Sequence, residues 1–164
     1  MASQKELDLL SAGKTRWNSW RQEYAEVQAL EPDLHGADLH GADLRGVDFR
    51  GVDLTEANLQ EADLREANLQ EADLRNANLR GANLSDASLL KACLRWVDLR
   101  GATLCRANLK GADLGKADLR GADLEGAILS KAIFDEANLS GVDLSGTNFN
   151  EDDVRGSVRA EVRG

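Results

Sequence analysis

The sequence is poor in several residue types that usually guide an interpretation. It has one proline and two cysteines among 164 residues, so a disulfide framework does not hold the fold together. No apolar run approaches the roughly 20 residues that a bilayer-spanning helix needs. The first ten residues also lack the basic region and apolar run of a secretory signal. These absences predict a cytoplasmic protein without a membrane segment.

Basic residues are also fewer than acidic residues. Lys and Arg number 20 against 29 for Asp and Glu, which gives a net charge of -9. Such a balance argues against non-specific binding to nucleic acid or to anionic membranes, because both use clustered cations. Within residues 32–150, however, 12 of the 20 acidic residues occupy one fixed position of a repeat. The acidity is therefore mostly a property of that repeat and says little about a partner.

A five-residue repeat is what the sequence has in abundance. From Leu34 to Phe149 every fifth residue is Leu or Phe, in 24 consecutive units of the kind ADLRG, ANLQE and ADLRE. A period of five suits neither a helix nor a flat strand, because the leucines would spread around a helix or alternate between the faces of a strand. The pattern predicts a chain that turns after every unit and stacks its coils at the spacing of paired strands. The central Leu or Phe, and the small residue two positions earlier, then face the axis.

Tandem A(D/N)LXX units resemble the pentapeptide-repeat family, and the segment WNSWRQE before them resembles leaders of its bacterial members. The resemblance implies an all-β solenoid, a right-handed quadrilateral β-helix with four units per coil and hence about six coils. Gly stands two residues after the centre in 11 units. Because Glu, Lys, Arg and Trp fill the same position elsewhere, the sequence indicates that a left-handed backbone is not obligatory there.

The two ends of the repeats need covering, because a solenoid exposes its core and unpaired strand edges there. We predict an N-terminal helical cap over residues 1–31, the β-helix over 32–154 and a tail over 155–164. Whether the tail is ordered stays open.

The predicted cap has two helices. Ser3 and Glu6 match a capping box for the first helix, and Gly13 ends it. A second helix is expected to begin near Thr15 and to lay an apolar stripe over the first coil; a partner-binding or self-association helix is the competing interpretation. The stripe comprises Trp17, Trp20, Tyr24 and Val27.

Nothing in the sequence forms a recognisable catalytic set. It has no phosphate-binding loop, nucleophile elbow or Cys-x-x-Cys motif, and its aspartates recur at a fixed position of the repeat. His35 and His40 fall on adjacent faces, where variable surface positions explain them better than a metal site. Cys93 and Cys105 fall on opposite faces of one coil, too far apart for a disulfide, and are predicted to be free thiols. We therefore expect no enzyme, cofactor or metal.

The outward positions of the middle coils predict a surface for a protein partner. Arginines at the same offset on neighbouring faces form a basic corner, and Leu90 and Trp96 are large apolar residues at outward positions. Trp96, beside Arg95 and Arg100, is the first candidate for a partner contact. Ile128 and Ile133 are expected to form a small exposed apolar spot. The predicted partner surface comprises Arg75, Arg80, Leu90, Arg95, Trp96, Arg100 and Arg120.

These observations favour a non-catalytic β-helical scaffold or protein-interaction module. Its partner is expected to be another protein, with no direct contact to nucleic acid or membrane, and a monomer is favoured over a dimer. The family resemblance implies an alternative, a DNA mimic that binds a type II topoisomerase, as in quinolone- and albicidin-resistance members. The negative charge and the rod shape favour this alternative. The small number of coils, the absence of loop insertions, the lack of a dimer module and the basic corner argue against it.

Overall fold

A turn at every fifth residue governs the fold. The computed structural model describes residues 2–23 and 32–148. In each unit the carbonyl of the central residue accepts a hydrogen bond from the backbone N–H three residues later, as from Ala37 to Leu34 at 3.0 Å. This is the closing bond of a β-turn, so the chain changes direction after each unit.

Successive coils pair in parallel, shifted by twenty residues. Single parallel bridges join residues twenty apart, from Asp33 with Asp53 up to Asp123 with Asp143. Each side is one unit long, so its strand is reduced to the residue just before the centre. Leu34 donates from its N–H to the carbonyl of Asp53 on the next coil at 2.8 Å, and Asp53 donates to Pro32 on the previous coil at 3.0 Å. The register is the one predicted for four units per coil.

The coil therefore has four sides, which we name A, B, C and D. They begin at Asp33, Asp38, Asp43 and Asp48, and each side recurs every twenty residues. We call the residue just before each centre the ladder residue, and we name a turn by the two sides that it joins. Inside, the central leucines other than the partly buried Leu39 are buried, together with Phe49, Phe134 and most of the Ala and Val residues two positions earlier. Burying one leucine side chain contributes about 2 kcal/mol, so a regular column of them is the main source of stability.

Within residues 32–148 the second residue after each centre is left-handed, which makes the sequence inference about this position wrong. The twelve non-glycine residues that the structure describes at this position have φ between 56° and 62°, and the glycines there have φ between 62° and 73°. A left-handed L-residue costs roughly 1–2 kcal/mol. Side chains are nevertheless tolerated because the turn and the two neighbouring coils fix the backbone through hydrogen bonds on both sides of the residue.

Two helices precede the repeats: α1 spans Gln4–Ser11 and α2 spans Lys14–Glu23. The first helix ends as predicted, with Gly13 left-handed at φ 97° and its N–H bonded to the carbonyl of Leu10 at 2.9 Å. The predicted capping box is wrong, because the side chain of Ser3 makes no cap hydrogen bond. The backbone N–H of Ser3 instead donates to the carbonyl of Asp33 at 3.0 Å.

Helix α2 lies over the first coil. Trp17 is fully buried and meets Phe49 edge-on, with 5.4 Å between ring centroids. Asn18 accepts a hydrogen bond from the N–H of Asp48 at 2.8 Å and donates to the carbonyl of Gly46 at 3.0 Å. Polar side chains of the helix thus hydrogen-bond to backbone groups of the first coil, which has no preceding coil to pair with those groups. Tyr24, Val27 and the predicted tail over 155–164 lie outside the described residues.

Candidate interaction surface

Most arginines of the rod are neutralised within their own unit. The centre points inward, so its two neighbours both point outward and can meet, in the same way as residues two apart on a strand. Where Asp precedes the centre and Arg follows it, the guanidinium binds the carboxylate with Nη2–Oδ2 distances of 2.5–2.7 Å. Residues 32–148 contain six such pairs: Asp43–Arg45, Asp48–Arg50, Asp63–Arg65, Asp73–Arg75, Asp98–Arg100 and Asp118–Arg120.

This pairing changes the meaning of the predicted basic corner. Arg75, Arg100 and Arg120 are each held by an aspartate, and the hydrogen bond from Arg100 lowers the pKa of Asp98. Arg80 differs, because its unit has Asn78 in the aspartate position, and the described residues offer it no ion pair. Three of these four charges are therefore compensated locally.

Arg95 forms its ion pair with a residue of another coil. Its unit has Cys93 in the ladder position, where most units have Asp or Asn, so the guanidinium has no carboxylate within its own unit. It reaches instead to the next coil, where Nη1 lies 3.3 Å from Oδ2 of Asp113. On the way it passes over the indole of Trp96, with Cζ 4.8 Å from the ring centroid, within the range of a cation–π contact.

A glycine makes room for this arrangement. Gly115 is the only glycine directly after a centre, and a Cβ built on it would lie 2.5 Å from Nη1 of Arg95. The next residue, Lys116, places Nζ 5.6 Å from the centroid of the Trp96 ring. Trp96 is therefore flanked by two cations and keeps 48% of its surface exposed. Three departures from the repeat, at residues 93, 96 and 115, thus meet at one place, which we call the Trp96 site: Cys93, Arg95, Trp96, Asp113, Gly115 and Lys116.

The structure brings together only part of the surface predicted from the sequence. Arg95 and Trp96 are in contact at the A–B turns, and Arg75 occupies the same turn position one coil earlier. Arg80, Arg100 and Arg120 occupy the neighbouring B–C turns, and Leu90 is half-buried at a D–A turn. The sequence reasoning missed the roles of Asp113, Gly115 and Lys116, although the glycine was visible as a break in the repeat.

The histidines and cysteines have the following neighbours in the described part of the chain. Nδ1 of His35 lies 2.7 Å from Oγ1 of Thr55. Cys93 and Cys105 are free thiols on opposite sides, as predicted. Cys105, Asp123 and Glu125 place their ligand atoms within 4.8 Å of one another. Burial, and then a hydrogen bond to Asp123, raise the pKa of the Cys105 thiol.

Comparison with known proteins identifies the repeat. A family model of pentapeptide repeats matches residues 33–70, 62–101, 94–126 and 112–150. The chain belongs to the pentapeptide-repeat family. No curated protein matches it. Pentapeptide-repeat proteins are right-handed quadrilateral β-helices, and this is the fold class of the chain. Neither helix in residues 2–23 and 32–148 combines the length and the apolar character needed to cross a bilayer.

Solved structures of other pentapeptide-repeat proteins resemble this one. The protein Rfr23 of the cyanobacterium Cyanothece 51142 is 31% identical, with a TM-score of 0.65, over 81% of this chain and 97% of its own. HetL of the cyanobacterium Nostoc, involved in heterocyst differentiation regulation, is 33% identical with a TM-score of 0.30, over 79% of this chain and 68% of its own. QnrB1, a plasmid-mediated fluoroquinolone resistance protein, is 23% identical with a TM-score of 0.41, over 78% of this chain and 79% of its own.

Proposed function

We propose that this pentapeptide-repeat protein is a non-catalytic scaffold that binds another protein in the cytoplasm and acts as a monomer. In this proposal residues 1–31 cap a β-helix of about six coils over residues 32–154, and residues 155–164 form a tail. The hydrogen bonds from α2 to the first coil support the capping role.

The Trp96 site carries the proposal. An exposed tryptophan flanked by arginine and lysine is the kind of group that dominates protein interfaces, because it offers a large apolar face and charged donors together. It is also a costly group in this position, since Trp96 has a left-handed backbone with φ 56°. Its neighbours Cys93 and Gly115 depart from the repeat. Cys93 leaves Arg95 without a carboxylate in its own unit, and Gly115 leaves room for the guanidinium beside Trp96. These features support a contact site better than incidental surface variation.

The test compares two variants at the same turn position. Trp96→Ala removes the indole, and Glu66→Ala removes an exposed side chain with the same left-handed backbone on the C–D turn. We expect proteins captured from a lysate of the source organism to bind Trp96→Ala about tenfold more weakly than wild type, and Glu66→Ala normally. Equal capture by all three proteins would contradict the proposal.

A DNA mimic that binds a type II topoisomerase is the second candidate. The net charge of -9 favours it, as do the glutamates at four successive turns: Glu56, Glu61, Glu66 and Glu71. The six Asp–Arg pairs weigh against it, because a mimic of DNA phosphates needs carboxylates without attached cations. A gyrase supercoiling assay separates the two functions: inhibition at micromolar protein favours the mimic, and the absence of any effect rejects it.

A further inference from the structure

The breaks in the Asp/Asn ladder concentrate along one edge of the rod. Five ladder residues are neither Asp nor Asn, and four of them lie on the adjacent sides D and A: Ser88, Cys93, Ile128 and Ile133. The turn between these two sides carries lysines in successive coils. We call the following group the D–A edge: Leu90, Lys91, Lys110, Ile128, Lys131 and Ile133.

The three lysines of this edge are unpaired in the described part of the chain. None of them has a side-chain hydrogen bond or an ion pair there, in contrast to the six arginines bound by aspartate. The reason lies in the sequence of side D. After Asp48 its ladder residues are uncharged, so no lysine of this turn has a carboxylate one position before its centre: Asn68, Ser88, Asn108, Ile128 and Asn148.

Exposed apolar side chains accompany these lysines. Ile128 and Ile133 are 39% and 44% exposed, and they flank Lys131 on the two sides that meet at its turn. A single exposed apolar residue is ordinary on a protein surface. Two neighbouring isoleucines in ladder positions, beside a row of unpaired lysines, form instead a mixed apolar and basic strip.

We propose that the D–A edge binds an acidic, amphipathic helix of another protein. The coils repeat at about 4.8 Å, close to the 5.4 Å pitch of an α-helix, so a helix lying along the rod can present one carboxylate per turn to Lys91, Lys110 and Lys131. The apolar stripe beside those carboxylates then rests on Ile128 and Ile133. The D–A edge adjoins the Trp96 site, since Ile133 pairs with Asp113 of that site, but the two groups share no residue. Failure of this proposal would therefore leave the function proposed above untouched.

A nucleic acid fits the same edge less well. Isoleucine gains nothing from a phosphate backbone, and the edge contains no arginine or aromatic side chain for bases or phosphates. Asp113 and Asp135 stand on side A and on the A–B turn that follows it, and the whole chain carries -9, so the surroundings repel a polyanion. A protein helix with a limited number of acidic groups avoids most of that repulsion.

The experiment uses a fluorescein-labelled synthetic 18-residue helical peptide that carries a glutamate stripe beside a leucine stripe. Anisotropy titrations are run with the full chain, and each variant is first shown to be folded by circular dichroism. Lys110→Glu should weaken binding about tenfold, and Ile128→Ser with Ile133→Ser about fivefold. Arg80→Glu is the matched control and should change affinity less than about twofold. Like Lys110, Arg80 directly follows a centre, has Asn as its ladder residue and makes no ion pair within the described chain.

Four outcomes would overturn the proposal. The first is a titration that does not reach saturation below about millimolar protein, because that concentration marks weak binding. The second is equal binding of a peptide with glutamine in place of leucine, which would show that charge attraction alone explains the binding. The third is tighter binding of an 18-base-pair DNA duplex than of the peptide, and the fourth is self-association in sedimentation that Lys110→Glu abolishes, which would assign the edge to a second copy of the chain.

Discussion

The indole Nε1–H of Trp17 donates a 2.7 Å hydrogen bond to the backbone carbonyl of Asp48. The same ring is fully buried against Phe49, the last central residue of the first coil. One side chain thus packs on a central residue of the first coil and binds a backbone carbonyl of the same coil.

Replacing this residue should loosen the N-terminal end of the rod. Trp17→Ala should lower the free energy of unfolding by about 3–5 kcal/mol, because it removes a buried aromatic ring and leaves the Asp48 carbonyl unpaired. Chemical denaturation measures the loss, and hydrogen exchange should show it as reduced protection around Phe49 and normal protection around Leu109. Uniform loss along all coils would contradict a role confined to the end.

The Asp–Arg pairs should resist acid. The side-chain hydrogen bond from Arg45 holds the pKa of Asp43 at about 2, below the value near 3.9 of an unfolded chain. Since the folded pKa is the lower one, the pair stabilises the fold above about pH 4 and loses this effect as the pH falls through about 2. Arg45→Gln should therefore raise the Asp43 pKa in an NMR titration and move acid unfolding to higher pH. Arg80→Gln, whose ladder residue is Asn78, should not.

At the left-handed turn position, replacing a glycine should lower the stability of the fold, and introducing a glycine should raise it. Gly121 has φ 68° and open space within 4 Å of where a Cβ would stand, so Gly121→Ala adds strain without a clash and should cost about 1 kcal/mol. Glu66 has φ 60°, and Glu66→Gly should gain about 0.5 kcal/mol, because the relieved strain exceeds the added chain entropy. Urea denaturation decides both, and Glu66→Ala serves as the control that should not gain.

Gly115 should behave differently from Gly121. It is not left-handed, and a Cβ there meets the flexible end of Arg95 at 2.5 Å. Gly115→Ala should therefore displace the guanidinium from Trp96 and Asp113 while changing the melting temperature by less than about 2 °C, since only a surface ion pair and a cation–π contact are lost. The indole N–H resonance of Trp96 should shift in an NMR spectrum. An unmoved resonance would show that the glycine does not shape the site.

The sequence allowed the coil to be predicted because its core has a single period. A leucine such as Leu54 can face the axis in every unit only if the chain turns every five residues, so composition and spacing determined the architecture. The outward residues follow weaker rules. Arg75 and Arg100 looked like an open basic corner, although the aspartate two residues before each one already predicted the ion pair. Turn geometry at Trp96 could not be read from residue type, because hydrogen bonds between coils override the preference of the side chain.

The parallel pairing of residues twenty apart also ties angular position to the count of units. Deleting twenty residues between Asp53 and Asp73 would shorten the rod by one layer, about 4.8 Å, and leave every downstream side chain facing the same direction. Deleting five residues would keep the leucine column intact and yet rotate everything downstream by a quarter of a revolution relative to helix α2. The direction in which Trp96 faces around the rod axis is thus set by the number of repeats before it. A deletion of one repeat would leave the core packing unchanged and yet reorient the whole downstream surface.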